Sequence, residues 1–161
     1  MSVQQDLHDC LKEAAEAAAD GAVLEAAQIH DTPFREIEDD RDIIKGVFVG
    51  YATAAIAPNP GNDGVHRSDV VTTLHCYYAA GKDKTEQAVG RENAELLANA
   101  VTMQFFEDPS MGGRHQYCRV FAARDAFDDA GGRKYAVVVL GIVINETGAL
   151  TQGELEGRAF R

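Results

Sequence analysis

The stretch from Tyr135 to Ile144, YAVVVLGIVI, constrains the fold of this chain more than any other. Apolar residues fill alternate positions of both parities, so a strand here turns apolar side chains to both faces at once. Such a strand belongs at the centre of a sheet, covered on both sides. The rest of the chain must supply its partner strands and its covering layers.

Partner strands can be read upstream. Val47 to Ile56 (VFVGYATAAI) is rich in β-branched and aromatic residues and runs into Pro58-Asn59-Pro60-Gly61, a strong breaker. Val70 to Tyr78 (VVTTLHCYY) alternates with period two. Val70, Thr72, Leu74, Cys76 and Tyr78 share one side, and Val71, Thr73, His75 and Tyr77 the other. Between the two runs, Pro58 to Ser68 carries Gly61-Asn62-Asp63-Gly64 and reads as a loop, so the strands pair antiparallel. A fourth strand is expected over about His115 to Ala122, joined to Tyr135–Ile144 through Asp128-Asp129-Ala130-Gly131-Gly132.

Two helices complete the set. Ser2-Val3-Gln4-Gln5 fits a capping box, and Val3, Leu7, Leu11, Ala14 and Ala18 follow at helical spacing until Asp20-Gly21. Ala22 to Gln28 reads as an extension of that helix, with a short strand as the alternative. Asp83-Lys84-Thr85-Glu86 opens a longer helix that ends before Asp108-Pro109, with Val89, Leu96, Leu97, Ala100, Val101, Met103 and Phe105 as its expected buried stripe. The order predicts an α+β fold: an antiparallel four-stranded sheet with an N-terminal helix and one long helix packed on it. At 161 residues this is one domain, expected over 1–146, followed by a polar C-terminal arm over 147–161 with three glycines.

Charge limits the partners. The chain has 26 acids against 15 Lys and Arg, a formal net of −11. That argues against duplex binding by counterion release and against docking on anionic lipid. The N-terminus has neither the basic nor the apolar segment of a signal peptide, and no apolar stretch is long enough to span a bilayer. Cys10, Cys76 and Cys118 stand far apart with no Cys-x-x-Cys pair, which predicts reduced thiols in an intracellular chain and no zinc site.

The sequence offers little for catalysis. His8, His30, His66, His75 and His115 are scattered. His30-Asp31 has no further ligand at metal spacing, and His75 reads as a half-buried, hydrogen-bonded strand residue. Gly112-Gly113-Arg114-His115 lies between a helix and a strand, the reverse of a phosphate-binding loop, and reads as a turn. Neighbours along a strand point to opposite faces, so His75 and Cys76 make no dyad. No catalytic residue, metal or cofactor is expected.

Two charge clusters stand out instead. Residues 1–60 hold 12 acids against 4 cations, and residues 61–161 hold 14 against 11. The densest acidic run is Glu36, Glu38, Asp39, Asp40 and Asp42, which reads first as a solvated loop or strand edge. Arg114, Arg119, Arg124, Arg133 and Lys134 put five cations into 21 residues after the long helix. They read either as the solvated edge of a hairpin or as a cationic surface that meets an acidic flank of another copy, head to tail.

In its order of elements, through VFVGYATAAI, VVTTLHCYYA, the helix around ENAELLANAVTMQFF, and RVFAARDAFDDAGGRKYAVVVLGIVI, the chain resembles the tail terminator (tail-completion) proteins of long-tailed bacteriophages. The resemblance covers roughly residues 1–146 and is one of element order and character. It implies a non-enzymatic virion protein of the tail and neck, assembled in the host cytoplasm. In that family a homo-hexameric ring ends tail-tube growth and joins the tail to the head. The implied partners are the tail tube protein and a head-neck connector or stopper protein, with DNA passing through the lumen unbound and no membrane involved. A ring of six would carry six times −11 formal charges, and the five acids from Glu36 to Asp42 would line its lumen or rim. The rival readings are another neck or tail-tube structural protein of such a particle, or a small cytosolic ligand-binding protein or enzyme using His75 or His30.

Overall fold

The computed structural model describes residues 3–30, 44–50, 53–60, 65–114, 117–130 and 133–149. Among these the order is α1 (Val3–Ala17), β1 (Gln28–His30), β2 (Lys45–Val49), β3 (Thr53–Pro60), β4 (Val65–Ala80), α2 (Lys84–Glu107), β5 (Tyr117–Ala130) and β6 (Arg133–Ala149). The fold is α+β, with both helices against one sheet.

The sheet departs from the expected four antiparallel strands. Its path runs β1-β2-β4-β6-β5, with β3 also paired to β4, and β1 joins β2 in parallel. The remaining pairings are antiparallel. Three causes account for the difference. First, Ala22 to Gln28 is neither an extended helix nor a full strand. It turns, with Ala26 at φ 59°, and leads into the three residues of β1, too few to leave a periodic signature.

Second, the expected strand over Val47–Ile56 is interrupted at Gly50. The Gly50 amide donates to the Thr73 carbonyl at 2.8 Å and its carbonyl accepts from Thr72 Oγ1 at 2.9 Å. A Cβ at Gly50 would lie 2.6 Å from Thr73 Oγ1, so only glycine fits this approach. β2 therefore pairs with Leu74–Tyr78 and β3 with His66–Val71, one after the other along the same edge of β4.

Third, the expected loop over Pro58–Ser68 is mostly strand. Pro60 pairs with His66 and Asn59 with Arg67. β3 is an edge strand there, the position in a sheet that tolerates proline. Likewise β5 runs on to Ala130, and β6 to Ala149, where Thr147 pairs with Arg67. Residues 147–149 thus belong to the sheet, and 150–161 lie outside the described residues.

β6 takes the position its composition demands, between β4 and β5. On the helix side Ala136, Val138, Leu140, Ile142 and Ile144 join Leu74 and Cys76 of β4, Leu7 and Leu11 of α1, and Leu97 and Val101 of α2 in the main core. On the other side Tyr77, Tyr135 and Val137 form a second buried cluster. The two tyrosines meet edge to face at 5.4 Å, and His30 stacks on Tyr77 at 6.0 Å.

The α2 boundaries follow the expected chemistry. Asp83 Oδ1 accepts from the Glu86 amide at 2.8 Å, and Glu86 reaches back to the Lys82 amide at 3.1 Å. The inward face differs from the expected one: the buried residues are Gly90, Ala94, Leu97, Ala98, Val101 and Phe105, whereas Val89, Leu96 and Met103 are exposed. Small residues at 90, 94 and 98 bring the helix axis close to the sheet. A Cβ at Gly90 would stand 2.7 Å from Ala80 Cβ and 3.0 Å from its Cα.

Gly90→Ala is therefore expected to lower stability in urea melts, because the clash with the Ala80 backbone outweighs a helix-propensity gain of about 1 kcal/mol. Leu97→Ala should cost about 2–5 kcal/mol and Met103→Ala no more than about 0.5 kcal/mol in the same assay.

Candidate functional site

The post-α2 loop is built first, because it disposes of the first of the five cations. Asp108 follows α2, and its Oδ1 accepts from Ser110 Oγ at 2.7 Å while Oδ2 accepts from the Gly112 amide at 2.7 Å. The Gly113 amide donates to Ser110 Oγ at 3.0 Å. Met111, Gly112 and Gly113 all take positive φ (56°, 71° and 83°), a left-handed run that turns these amides inward. The amides of a would-be phosphate cradle are thus occupied by the loop's own side chains. The Ser110 hydroxyl, and after it the Gly112 amide, hold the Asp108 carboxyl below its ordinary range.

Arg114 closes this loop onto α1. Its Nη1 donates to the Met111 carbonyl at 2.9 Å and its Nη2 to Glu13 Oε1 at 2.7 Å, across 101 positions of sequence. The Glu13 hydrogen bond raises the guanidinium pKa further. Arg114 is a structural clasp.

The other cations separate by strand parity. Arg119 pairs with Val143 and Arg124 with Val139, on the sheet face away from the helices. Lys134 pairs with Asp129 and lies on the helix side, its Nζ 5.9 Å from the centre of the Phe127 ring. β5 carries a bulge between Val120 and Ala122, so Phe121 is an extra residue at which the alternation shifts. The Arg133 side chain lies outside the description. The five cations therefore do not form one edge; Arg119 and Arg124 remain together on the open face, both exposed. Among the described residues no carboxylate forms an ion pair with either. The acidic run Glu36, Glu38, Asp39, Asp40 and Asp42 lies outside the described residues.

Among the described residues the histidines and cysteines offer no assembled chemistry. His75 is half-buried, with Nε2 3.2 Å from Thr73 Oγ1 and its ring 5.3 Å from that of Phe48, as its alternation predicts. His30 is taken up in the stack on Tyr77. Cys10, Cys76 and Cys118 are buried and free, and desolvation raises all three thiols, that of Cys118 to about 12. Among the described residues no three His, Cys, Asp or Glu side chains are grouped to hold a metal, and no helix is long and apolar enough to cross a membrane.

What the sequence missed is a surface. The outward side of α2 presents Val89, Leu96, Met103 and Phe106, between 47% and 79% exposed, interspersed with the exposed carboxylates Glu92 and Glu95. Tyr117 and Phe121 add two half-exposed rings beside Arg119 and Arg124 on β5. The signal for the first surface was in the sequence: Gly90, Ala94 and Ala98 mark one side of the helix as the close-packed side, which sends Leu96 and Met103 outward.

Neither a protein-family model nor a curated protein sequence matches the chain. Its fold is similar to that of a chain in the solved structure described as the virion of a native gene transfer agent particle. The two superpose with a TM-score of 0.61 at 14% identity, over 91% of this chain and 96% of that one. At that identity the likeness is one of fold.

Asp108→Asn gives a test of the loop by pH. The folded carboxyl titrates below its unfolded value of about 3.9, so its stabilisation is fully present above that pH and lost as pH falls through the lower folded value. The stability gap between wild type and variant should hold from neutral pH to about pH 4 and close below it in acid-titrated melts.

Proposed function

We propose that this chain is a structural protein of a phage-like virion, a tail terminator whose homo-hexameric ring ends tail-tube growth and joins the tail to the head-neck. The observation that carries the reading is the fold likeness to a chain of a gene transfer agent virion, which spans nearly the whole of both chains. Side-chain chemistry is consistent with it: the described surface is organised as apolar and charged patches, while the thiols and the central histidines are tied up in packing. Its partners on this reading are the tail tube protein below and a connector or stopper protein above. The protein is not an enzyme and acts in the virion, after assembly in the host cytoplasm.

DNA crosses such a ring without adhering to it. A net charge of −11 per subunit leaves phosphates few cations to pair with, and Glu36, Glu38, Asp39, Asp40 and Asp42 are assigned to the lumen or its rim.

A second reading follows from the same likeness, because the neighbour's description names a whole virion and no position within it. On that reading the chain is another neck or tail-tube component. Native mass spectrometry with electron microscopy of the purified protein separates the two. Closed six-membered rings, free or on tube ends, are expected for the terminator, and long tubes would replace it by the tube reading. In rings, converting the five acids to Asn or Gln should raise DNA retention on filters at low salt, and unchanged retention would move these acids off the lumen.

A further inference from the structure

The subunit carries two exposed surfaces that are apolar at their centres and opposite in charge. One is the outer side of α2, with Val89, Leu96, Met103 and Phe106 beside Glu92 and Glu95. The other is the open face of β5, with Tyr117 and Phe121 between and beside Arg119 and Arg124. Over most of their length they lie on opposite sides of the sheet: α2 covers the face that carries Leu74, Leu140 and Ile142, and Arg119 and Arg124 share the face of Val143 and Val139; the two approach each other at one end, where Phe106 and Tyr117 line a common cleft.

Their dimensions agree. From Val89 to Phe106 a helix rises about 26 Å, and from Tyr117 to Arg124 a strand extends about 23 Å. The aromatic at the centre of the second surface is held in place. A Cβ on Gly141 would come within 2.9 Å of Phe121 Cζ, so the ring lies down across β6 in the space that this glycine leaves. A seated ring loses little freedom on contact, as binding anchors require.

We infer that the outer side of α2 in one copy packs on the β5 end of the open sheet face in the next copy. Leu96 and Met103 meet Phe121 and Tyr117, and Glu92 and Glu95 meet Arg124 and Arg119. A second copy of the chain is the occupant because the two surfaces are complementary: Glu92, and Glu95 in a loose exposed pair with its own Arg91 at 3.7 Å, against two guanidinium groups, and aliphatic side chains against rings. Because the two patches are different, the contact is head to tail, and repetition of it gives a ring or a filament in place of a two-fold dimer. It rests on the ring reading for its closure at six copies and on nothing else there.

Cysteine pairing in the full-length chain tests it. Single cysteines at Leu96 or Met103 are mixed in every combination with single cysteines at Phe121 or Arg124, at the highest concentration the protein tolerates, and oxidised. The native thiols are buried and do not compete. The expected result is a disulfide-linked dimer from at least one mixture, and, with that pair on a single chain, a covalent ladder ending at six. A ladder that passes six without closing supports the contact and overturns the hexameric ring.

Links formed instead by a single variant with itself overturn the head-to-tail contact in favour of a two-fold one. Absence of any link, whether the protein is monomeric or assembled, overturns it altogether. Charge reversal gives an independent readout: Arg119→Glu with Arg124→Glu should weaken self-association at least about tenfold, and Glu92→Lys with Glu95→Lys in the same chain should restore it. Failure of that rescue, with the disulfides also absent, removes the pairing of these two surfaces.

Discussion

The distance between α2 and the sheet governs most of this structure. Gly90, Ala94 and Ala98 let the helix settle against β4 and β6, with Gly90 close enough to the Ala80 backbone that a methyl group would not fit. At that separation Leu97, Val101 and Phe105 reach into the core beside Leu140 and Ile142, and β6 gains its cover on the helix side. The same choice exports volume. A helix that turns its small residues inward must carry its larger apolar ones elsewhere, and here they lie outside at Val89, Leu96, Met103 and Phe106. Close packing within the subunit and an apolar surface on it are one arrangement seen from two sides.

Elements set by local chemistry were legible in the sequence. The ends of α2 follow from a carboxylate able to cap amides at Asp83 and a proline after Asp108, and both act within a few residues. The central place of β6 follows from its composition alone. Features set by the approach of distant segments were not legible. β1 exists because three residues find β2, and the break at Gly50 exists because Thr73 comes too close for a side chain. The prolines at 58 and 60 looked like the end of a strand, and they lie within an edge strand, where a sheet tolerates proline. The α2 stripe was misread because residue size was taken as the sign of burial, when close approach favours the small.

The candidate site shows the same division. Five cations near one another in sequence read as one surface, yet parity and a bulge distribute the described ones among three environments. Arg114 joins the loop after α2 to α1, Lys134 lies with Phe127, and Arg119 and Arg124 stand on the open face. Only the last two are available to another molecule as a pair.

β5 is one edge of the sheet, fourteen residues long, and a flat edge of that length would accept further strands without limit. This one is bent by its bulge at Phe121 and studded with Arg119, Arg124 and Asp125, which spoils it as a backbone template. Growth by strand addition at this edge is thereby suppressed, and the contact proposed above would be left to side chains. Contacts of that kind respond to ionic strength, come apart when conditions change, and allow a misplaced subunit to be released and replaced. On the proposed reading, a chain with this edge blocked could accumulate before assembly without growing into an irreversible β-aggregate through β5.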